Sequence, residues 1–394
     1  MIKLSVAFFW FVLSLQSPLV GAQATGVEVT ILDTGAGHAS VTTFPDGDIF
    51  IYDTGHFSHD PAIYAAFAEI IGTEEIDLVV VSHSDADHLG ATDELFLNHR
   101  IHKIIRTGFA RDTASYGDHE RAIENSSRTG LTHDVNLAEV DLPLGTAFQF
   151  GEATLTFLSG FHRPPSTWGL HGSEYRNGNS IVMRLEYREQ SVLFTGDAVG
   201  RVQDSDTNSP AIATEKFLID NAARRKIDSD VLIAPHHGSD DASSADFIKA
   251  VSPTWVVFPA GSQHQHPRAV TARRYLDFGL QTECMLRTDL GDSTGPDEWG
   301  YGGRAGQGDG VLDDNIHITL STSGETIVRY EGKSPVECAR QQSSSMTSLS
   351  ESLVKKSGSG ICHVSSSPWY ERTRNFITFA SLEDCIASGG REPR

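Results

Sequence analysis

The sequence is poor in cysteine, poor in positive charge and, beyond its first residues, without long apolar runs. Its 394 residues hold four cysteines, Cys284, Cys338, Cys362 and Cys385. No two form a C-x-x-C pair, which argues against a thiolate metal site. Lys and Arg number 31 against 52 Asp and Glu, a formal charge of -21. A surface that acidic does not bind nucleic acid non-specifically through counterion release. It keeps a protein soluble, and it leaves open a substrate that meets a metal ion locally. No internal repeat is present. With 39% hydrophobic residues the chain can bury a substantial core.

The one long apolar stretch lies at the start. Lys3 precedes an apolar run from Leu4 to Leu15, and Ala22-Gln23-Ala24 is a small-x-small cleavage site. This pattern predicts a signal peptide over residues 1–24, with no membrane anchor after its removal. The expected location is therefore secreted or periplasmic. An even cysteine count in an exported chain suits two disulfides, with three connectivities open.

Short runs rich in Val, Ile and Phe, bounded by Gly, Asp or Pro, predict strands. They are VEVTILDTG and DIFIYDTG around a turn at Pro45-Asp46-Gly47, then IDLVVVSH, ATLTFLSG, SIVMRLEY, SVLFTGD, DVLIAPHHG and TWVVFPAG. PAIYAAFAEIIG, TEKFLIDNAARR, SADFIKAV and PRAVTARRYLDFG read as helices. The mixture predicts an α/β domain over residues 25–338 with helices covering its sheets. A Ser-rich linker is expected over 339–358, and a small Cys-containing module over 359–394. Residues 339–394 carry seven Lys/Arg against five Asp/Glu, a mildly basic end to an acidic chain. Trp369, Tyr370 and Phe376 there could stack on bases, although a Cys362–Cys385 staple for a module too small to bury a core is the simpler account. The Gly- and Asp-rich stretch from Asp292 to Asn315 reads as a loop.

Four of these strands end on residues that can bind a metal. IDLVVVSH runs into His83, Asp85, Asp87 and His88; the others end at Asp53, at Asp197, and at His236 and His237. Strand ends converge on one edge of an α/β sheet, where loops build sites. A single His or Asp after a strand is commonly a cap, but no cap or turn needs four such residues in six positions. A calcium loop would need D-x-D-x-D-G and a Glu further on, and the third Asp is absent.

The stretch SHSDADHLGA resembles the H-x-H-x-D-H loop of the metallo-β-lactamase fold superfamily, with Asp85 in place of the second His. That replacement is similar to the hydrolase domain of ComEC-type DNA-uptake proteins. LDTGAGHASVTTFPDGDIFIYDTG, NGNSIVMRL, LFTGDA, VLIAPHHGS, the QHP at Gln265–Pro267 and LRTDLGD follow in the family's order. The resemblance spans roughly residues 27–330 and implies a four-layer αββα sandwich holding two divalent ions, manganese or zinc. Carried over by position, it implies His83 and Asp85 on one metal and Asp87 and His88 on the second. Asp197 would bridge, and His236 would complete the second set. Asp53 and Gly55 would support the ligand loop. His162, or else His171, stands near the place where many members supply a further ligand. The Asp at 85 shifts preference from zinc towards manganese or magnesium, with zinc retained as a candidate.

A two-metal centre makes hydroxide at neutral pH and neutralises developing charge, which suits a phosphodiester. The resemblance implies a nucleic-acid substrate. Asp87, His237 and His266 are the candidate catalytic residues, and Ser239 and Asn179 the candidate substrate contacts. Ser243, Ser244 and His264 are weaker candidates, best read as exposed loop residues. The alternatives are a hydrolase of a lactone, thioester or β-lactam, and a non-catalytic binding protein with a decayed site. The sequence points to no protein partner.

Overall fold

The computed structural model of the protein describes residues 26–289, 297–299, 312, 314–339 and most of 354–393. The expected signal peptide, residues 340–353 of the expected linker and most of the Asp292–Asn315 loop lie outside the described residues.

The first sheet begins as an antiparallel meander of β1 (Gly26–Leu32), β2 (Ala39–Thr43) and β3 (Ile49–Thr54). It continues in parallel through β4 (Ile76–Val81), β5 (Ile101–Arg106) and β6 (His133–Asn136). The helices α1 (Asp60–Ile71), α2 (Thr92–Asn98) and α3 (Ala114–Arg128) make the crossovers. A parallel neighbour requires such a crossover, because a two-residue turn can only reverse the chain.

The second sheet repeats this plan. Strands β7 (Ala147–Phe150), β8 (Ala153–Ser159), β9 (Val182–Tyr187) and β10 (Gln190–Phe194) are antiparallel. From β10 the sheet turns parallel through β11 (Val231–Ile233), β12 (Trp255–Phe258) and β13 (Met285–Arg287). A short helix, α4 (Gly172–Asn177), interrupts the β8–β9 connection. Helices α5 (Ala213–Asn221), α6 (Ala245–Val251) and α7 (Ala269–Phe278) lie between the later strands. The chain then returns to the first sheet, where β14 (Ile316–Ser321) pairs with β1 and β15 (Thr326–Tyr330) closes the edge.

Three cores define the layers. Val29, Ile31, Phe50, Tyr52 and Val80 of the first sheet pack against Leu155, Met183, Phe194 and Val257 of the second. The opposite face of the first sheet buries Ile51, Val79 and Val81 against Phe67, Leu95 and Ile123 of α1–α3. The outer face of the second buries Leu193, Leu232 and Val256 against Leu218, Phe247 and Tyr275 of α5–α7. The central strands are buried on both faces, which is why IDLVVV and SVLF read as continuous apolar runs instead of alternating ones. The αββα expectation is met.

The disulfides are Cys284–Cys338 and Cys362–Cys385. The first ties the residue before β13 to the chain leaving β15. The second lies in a small unit of β16 (Val354–Ser357), β17 (Cys362–His363), β18 (Phe376–Phe379) and α8 (Leu382–Ala387). This corrects the expected linker boundary. Residues 354–357, read as linker from their Lys and Ser content, pair antiparallel with 376–379. Local composition could not register a partner strand twenty residues on.

Candidate metal centre

The parallel halves of both sheets bring the C-terminal ends of β3, β4, β10 and β11 to one edge. Asp53, next to last in β3, lies in the left-handed region, at φ 57°. Its carboxylate accepts from Ser82 N at 2.6 Å, Ser82 Oγ at 2.8 Å and His88 Nδ1 at 2.8 Å. Burial would raise its pKa, but His88 and His38 outweigh that and hold it at about 2. Asp53 is thus a fixed anion that orients the loop after β4. Gly55 supports the same loop through its backbone, donating to His38 O and accepting from Gly90 N. It has φ 82°, and a Cβ would lie 2.7 Å from Ile63 Cδ1, so only glycine fits.

Four histidines converge, and in each the outer ring nitrogen is committed. His88 Nδ1 donates to Asp53, and His237 Nδ1 donates to Pro259 O at 2.6 Å. His236 Nδ1 donates to Asp241 Oδ1 at 2.7 Å. His83 Nδ1 lies 3.1 Å from Ser82 Oγ, whose proton goes to Asp53, so this ring donates too. Assigned from this network, each ring in its neutral form carries its lone pair on an Nε2 directed inward. Towards them points Asp197, which follows β10 through Gly196; a Cβ on Gly196, at φ 52°, would lie 2.7 Å from Ser82 Cβ.

Asp197 divides the four imidazoles into two pairs. Its Oδ1 lies 3.1 Å from His88 Nε2 and 3.4 Å from His237 Nε2. Its Oδ2 lies 3.6 Å from His236 Nε2 and 3.7 Å from His83 Nε2. Asp87 Oδ2 joins the first pair, 3.9 Å from His88 Nε2 and 3.7 Å from His237 Nε2. His88 Nε2 and His237 Nε2 are themselves 3.1 Å apart. His83 Nε2 and Asp197 Oδ1 are buried without a hydrogen-bond partner. Acceptors facing acceptors at these distances call for a cation, so the donor set fits a divalent metal.

The electrostatics agree. Burial disfavours charge on His88, but Asp197, Asp53 and Asp87 lift its pKa well above the usual histidine range. Burial likewise opposes charge on His236, yet Asp241 and Asp197 raise it to about 9. His83, by contrast, is pushed down to about 3 by burial and then by His88. The carboxylates thus create a field that draws positive charge into a pocket of imidazole lone pairs.

The structure allots several residues differently from the sequence reading. His237, read as catalytic, stands with Asp87 and His88, while His236, expected in that set, faces the other oxygen of Asp197. Consecutive left-handed conformations, φ 49° at His236 and φ 54° at His237, turn the two rings apart. Asp85 does not join either set. Its two oxygens accept from Arg176 Nε at 2.8 and 3.2 Å, and Oδ1 also from Arg111. His162 Nδ1 donates to Thr107 O at 3.1 Å, and the ring belongs to neither set. His171 stands at the N-cap position of α4, without a side-chain capping bond, in a neighbouring groove.

An open cleft of about 660 Å³ lies over this centre, lined by Asp87, Asp197, Ser239, His264, His266 and Arg268 among others. Ser239, expected as a substrate contact, lines this cleft, as does His264, read as an exposed loop residue. Asn179 does not: it is 1% exposed, and Asn177 lines the cleft instead, its amide 3.3 Å from His236 Nε2. The turn that ends α4 carries Asn179 inward. Ser243 and Ser244 are fully buried, not exposed. Ser243 Oγ bonds Tyr275 OH at 2.8 Å, and Ser244 caps α6. His266 packs 5.8 Å from His236, ring to ring. Burial, then His236 and His237, hold its pKa well below the usual range, so it is a neutral ring and not a stored proton. The sequence reading missed Ser82, Asp241 and Pro259, the outer partners of the histidines. Asp241 alone left a signal, as a carboxylate five positions after His236.

The family model described as "Metallo-beta-lactamase superfamily" matches residues 32–261. ComE operon protein 3 of Bacillus subtilis is 22% identical over 299 residues, 71% of this chain and 34% of that protein. Competence protein ComA of Neisseria gonorrhoeae is 26% identical over 264 residues, 66% of this chain and 31% of its own length. The chain thus spans about a third of the curated relatives it matches. Among solved structures, the metallo hydrolase Igni18 of Ignicoccus hospitalis is similar at 14% identity, covering 67% of this chain and 97% of that one, with a TM-score of 0.38. The match over residues 32–261 takes in all four strand ends of the metal centre, and the chain belongs to the metallo-beta-lactamase superfamily.

Proposed function

We propose that this protein is an exported, metal-dependent phosphodiesterase that cuts nucleic acid. The observation that carries the reading is the division of Asp197, each oxygen of which faces two imidazole lone pairs. His83 and His236 would hold one ion with Oδ2. Asp87, His88 and His237 would hold the other with Oδ1. Manganese and zinc both suit this donor set. When bound, such ions supply Lewis acidity and neutralise phosphate charge.

The chain's own residues favour an anionic substrate. Arg111 and Arg268 line the same cleft as Asp87 and Asp197, where guanidiniums can bind non-bridging phosphate oxygens. Ser239 offers a hydroxyl beside them, and His264 an exposed ring from which a departing oxygen can take a proton. Similarity to two competence proteins supports nucleic acid as the polymer. Two disulfides suit an exported chain.

The formal charge of -21 favours a second reading, a hydrolase of an uncharged lactone, thioester or β-lactam. One experiment separates them. Wild type and Asp87→Ala are stripped of metal, resupplied with manganese or zinc, and assayed on DNA, RNA, bis(p-nitrophenyl) phosphate and a lactone. Metal-restored phosphodiester cleavage by wild type alone is expected. Lactone turnover without phosphodiester cleavage would overturn the proposal.

A further inference from the structure

A second groove, of about 590 Å³, opens beside the metal-centre cleft and shares Arg111 with it. Its walls include Phe109, His171, Tyr175 and Arg176. Phe109 and Tyr175 are half-buried, with ring centroids 5.9 Å apart. Arg111 and Arg176 converge on one carboxylate, Asp85, so the trio carries a net positive charge in a strongly acidic chain. The two arginine side chains are 23% and 25% exposed.

A structural role alone does not explain this arrangement. One guanidinium neutralises Asp85. The other carboxylate that acts on Arg176, Asp87, is turned towards His88 and His237. Gathering a second guanidinium here therefore costs desolvation and like-charge repulsion that Asp85 alone does not offset. The second charge is explained if an anion shares it. Arg111 bonds Asp85 through Nη1, and Arg176 uses Nε and Nη1; among the described residues the Nη2 of each makes no hydrogen bond, and both side chains belong to the groove wall. Two aromatic rings next to a guanidinium pair are the chemistry that holds a base and its phosphate.

We infer that this groove is a subsite for the nucleotide next to the scissile phosphodiester, with its phosphate on Arg111 and Arg176 and its base against Phe109 and Tyr175. The inference rests on the phosphodiesterase reading for its choice of ligand. It also accounts for Asp85, which stands at the second position of the ligand loop and there positions the arginines of the subsite.

The test is fluorescence anisotropy of a labelled single-stranded octanucleotide at low salt, in chelator, so that no metal-dependent turnover enters. Wild type is compared with Phe109→Leu and Tyr175→Leu, which keep apolar bulk, and with Arg111→Gln. Loss of one stacked base is expected to weaken binding roughly five- to a hundredfold. Loss of one phosphate contact is expected to flatten the salt dependence by about 0.7 in log–log slope. With manganese supplied, kcat/KM on the octanucleotide relative to bis(p-nitrophenyl) phosphate is expected to fall about tenfold in the leucine variants, mainly through KM. Equal affinity across the variants, no binding by wild type, or equal affinity for an abasic oligomer would each overturn the subsite. Absence of phosphodiester turnover by wild type with intact anisotropy differences would instead sink the catalytic reading and leave the groove standing.

Discussion

His88 Nε2 and His237 Nε2 face each other across 3.1 Å, although each ring has already given its Nδ1 proton to Asp53 or Pro259 O. Two bare lone pairs at that distance would repel, so something positive must lie between them: a proton, which the carboxylates around His88 favour, or a metal ion in its place. Metal binding is therefore a term in the stability of the fold as well as in catalysis.

Metal should therefore raise the melting temperature. At a hundredfold excess over Kd the gain is about 2.7 kcal/mol, which for a domain of this size is several degrees. Calorimetry of stripped protein with and without manganese or zinc checks this. His237→Ala is expected to lose most of the shift. An identical shift in that variant would exclude His237 from the ligand set.

Asp53→Asn should weaken metal binding about 10- to 100-fold while the protein stays folded. The carboxylate accepts from three donors, and an amide would turn an N–H towards one of them. Isothermal titration of the variant with the metal is the measurement. Wild-type affinity would show that the orientation of His88 does not depend on Asp53.

His119 makes an acid-sensitive contribution outside the two ligand sets. Burial, and then Arg106, push its pKa down to about 3, and its Nδ1 has no partner. The folded state refuses a proton that the unfolded chain takes up near pH 6.5. Stability is full above that pH and falls as pH drops towards the folded value, by about 2 kcal/mol between pH 7 and pH 5. His119→Phe is expected to remove that share of the acid sensitivity in urea unfolding at the two pH values. Parallel pH profiles for wild type and variant would overturn the assignment.

Removing Cys284–Cys338 should cost stability through the unfolded state. The pair closes a separation of 54 residues. On the chain-entropy account that is about 4 kcal/mol. Cys284→Ser with Cys338→Ser should show a correspondingly lower denaturation midpoint, and an unchanged midpoint would contradict it.

Much of this architecture is readable along the chain. VEVTIL, IDLVVV, SVLF and WVVF are strands because runs of β-branched residues fit a pleated, doubly covered surface. Strands of this kind hand over to Asp or His at the edge where parallel strand ends meet. Family and layer order follow from the motifs in sequence. β5, α3 and β14 escape such a reading: IHKIIR mixes His, Lys and Arg into its apolar run, α3 is mostly polar, and β14 alternates. Neighbouring strands make β5 and β14 regular, and α3 is held by its Thr113 cap and the burial of Tyr116, His119 and Ile123.

By itself the sequence determined the donor types, their place at strand ends and the family, because these depend on residue identity and local spacing. Only the tertiary structure decided which donor faces which. His236 and His237 are neighbours, yet two left-handed residues send their rings to different oxygens of Asp197. Asp85 sits among the ligands in sequence, yet Arg176, 91 residues away, claims its oxygens. Side-chain direction and long-range charge pairing are set by how separate loops pack together, and no local spacing encodes them.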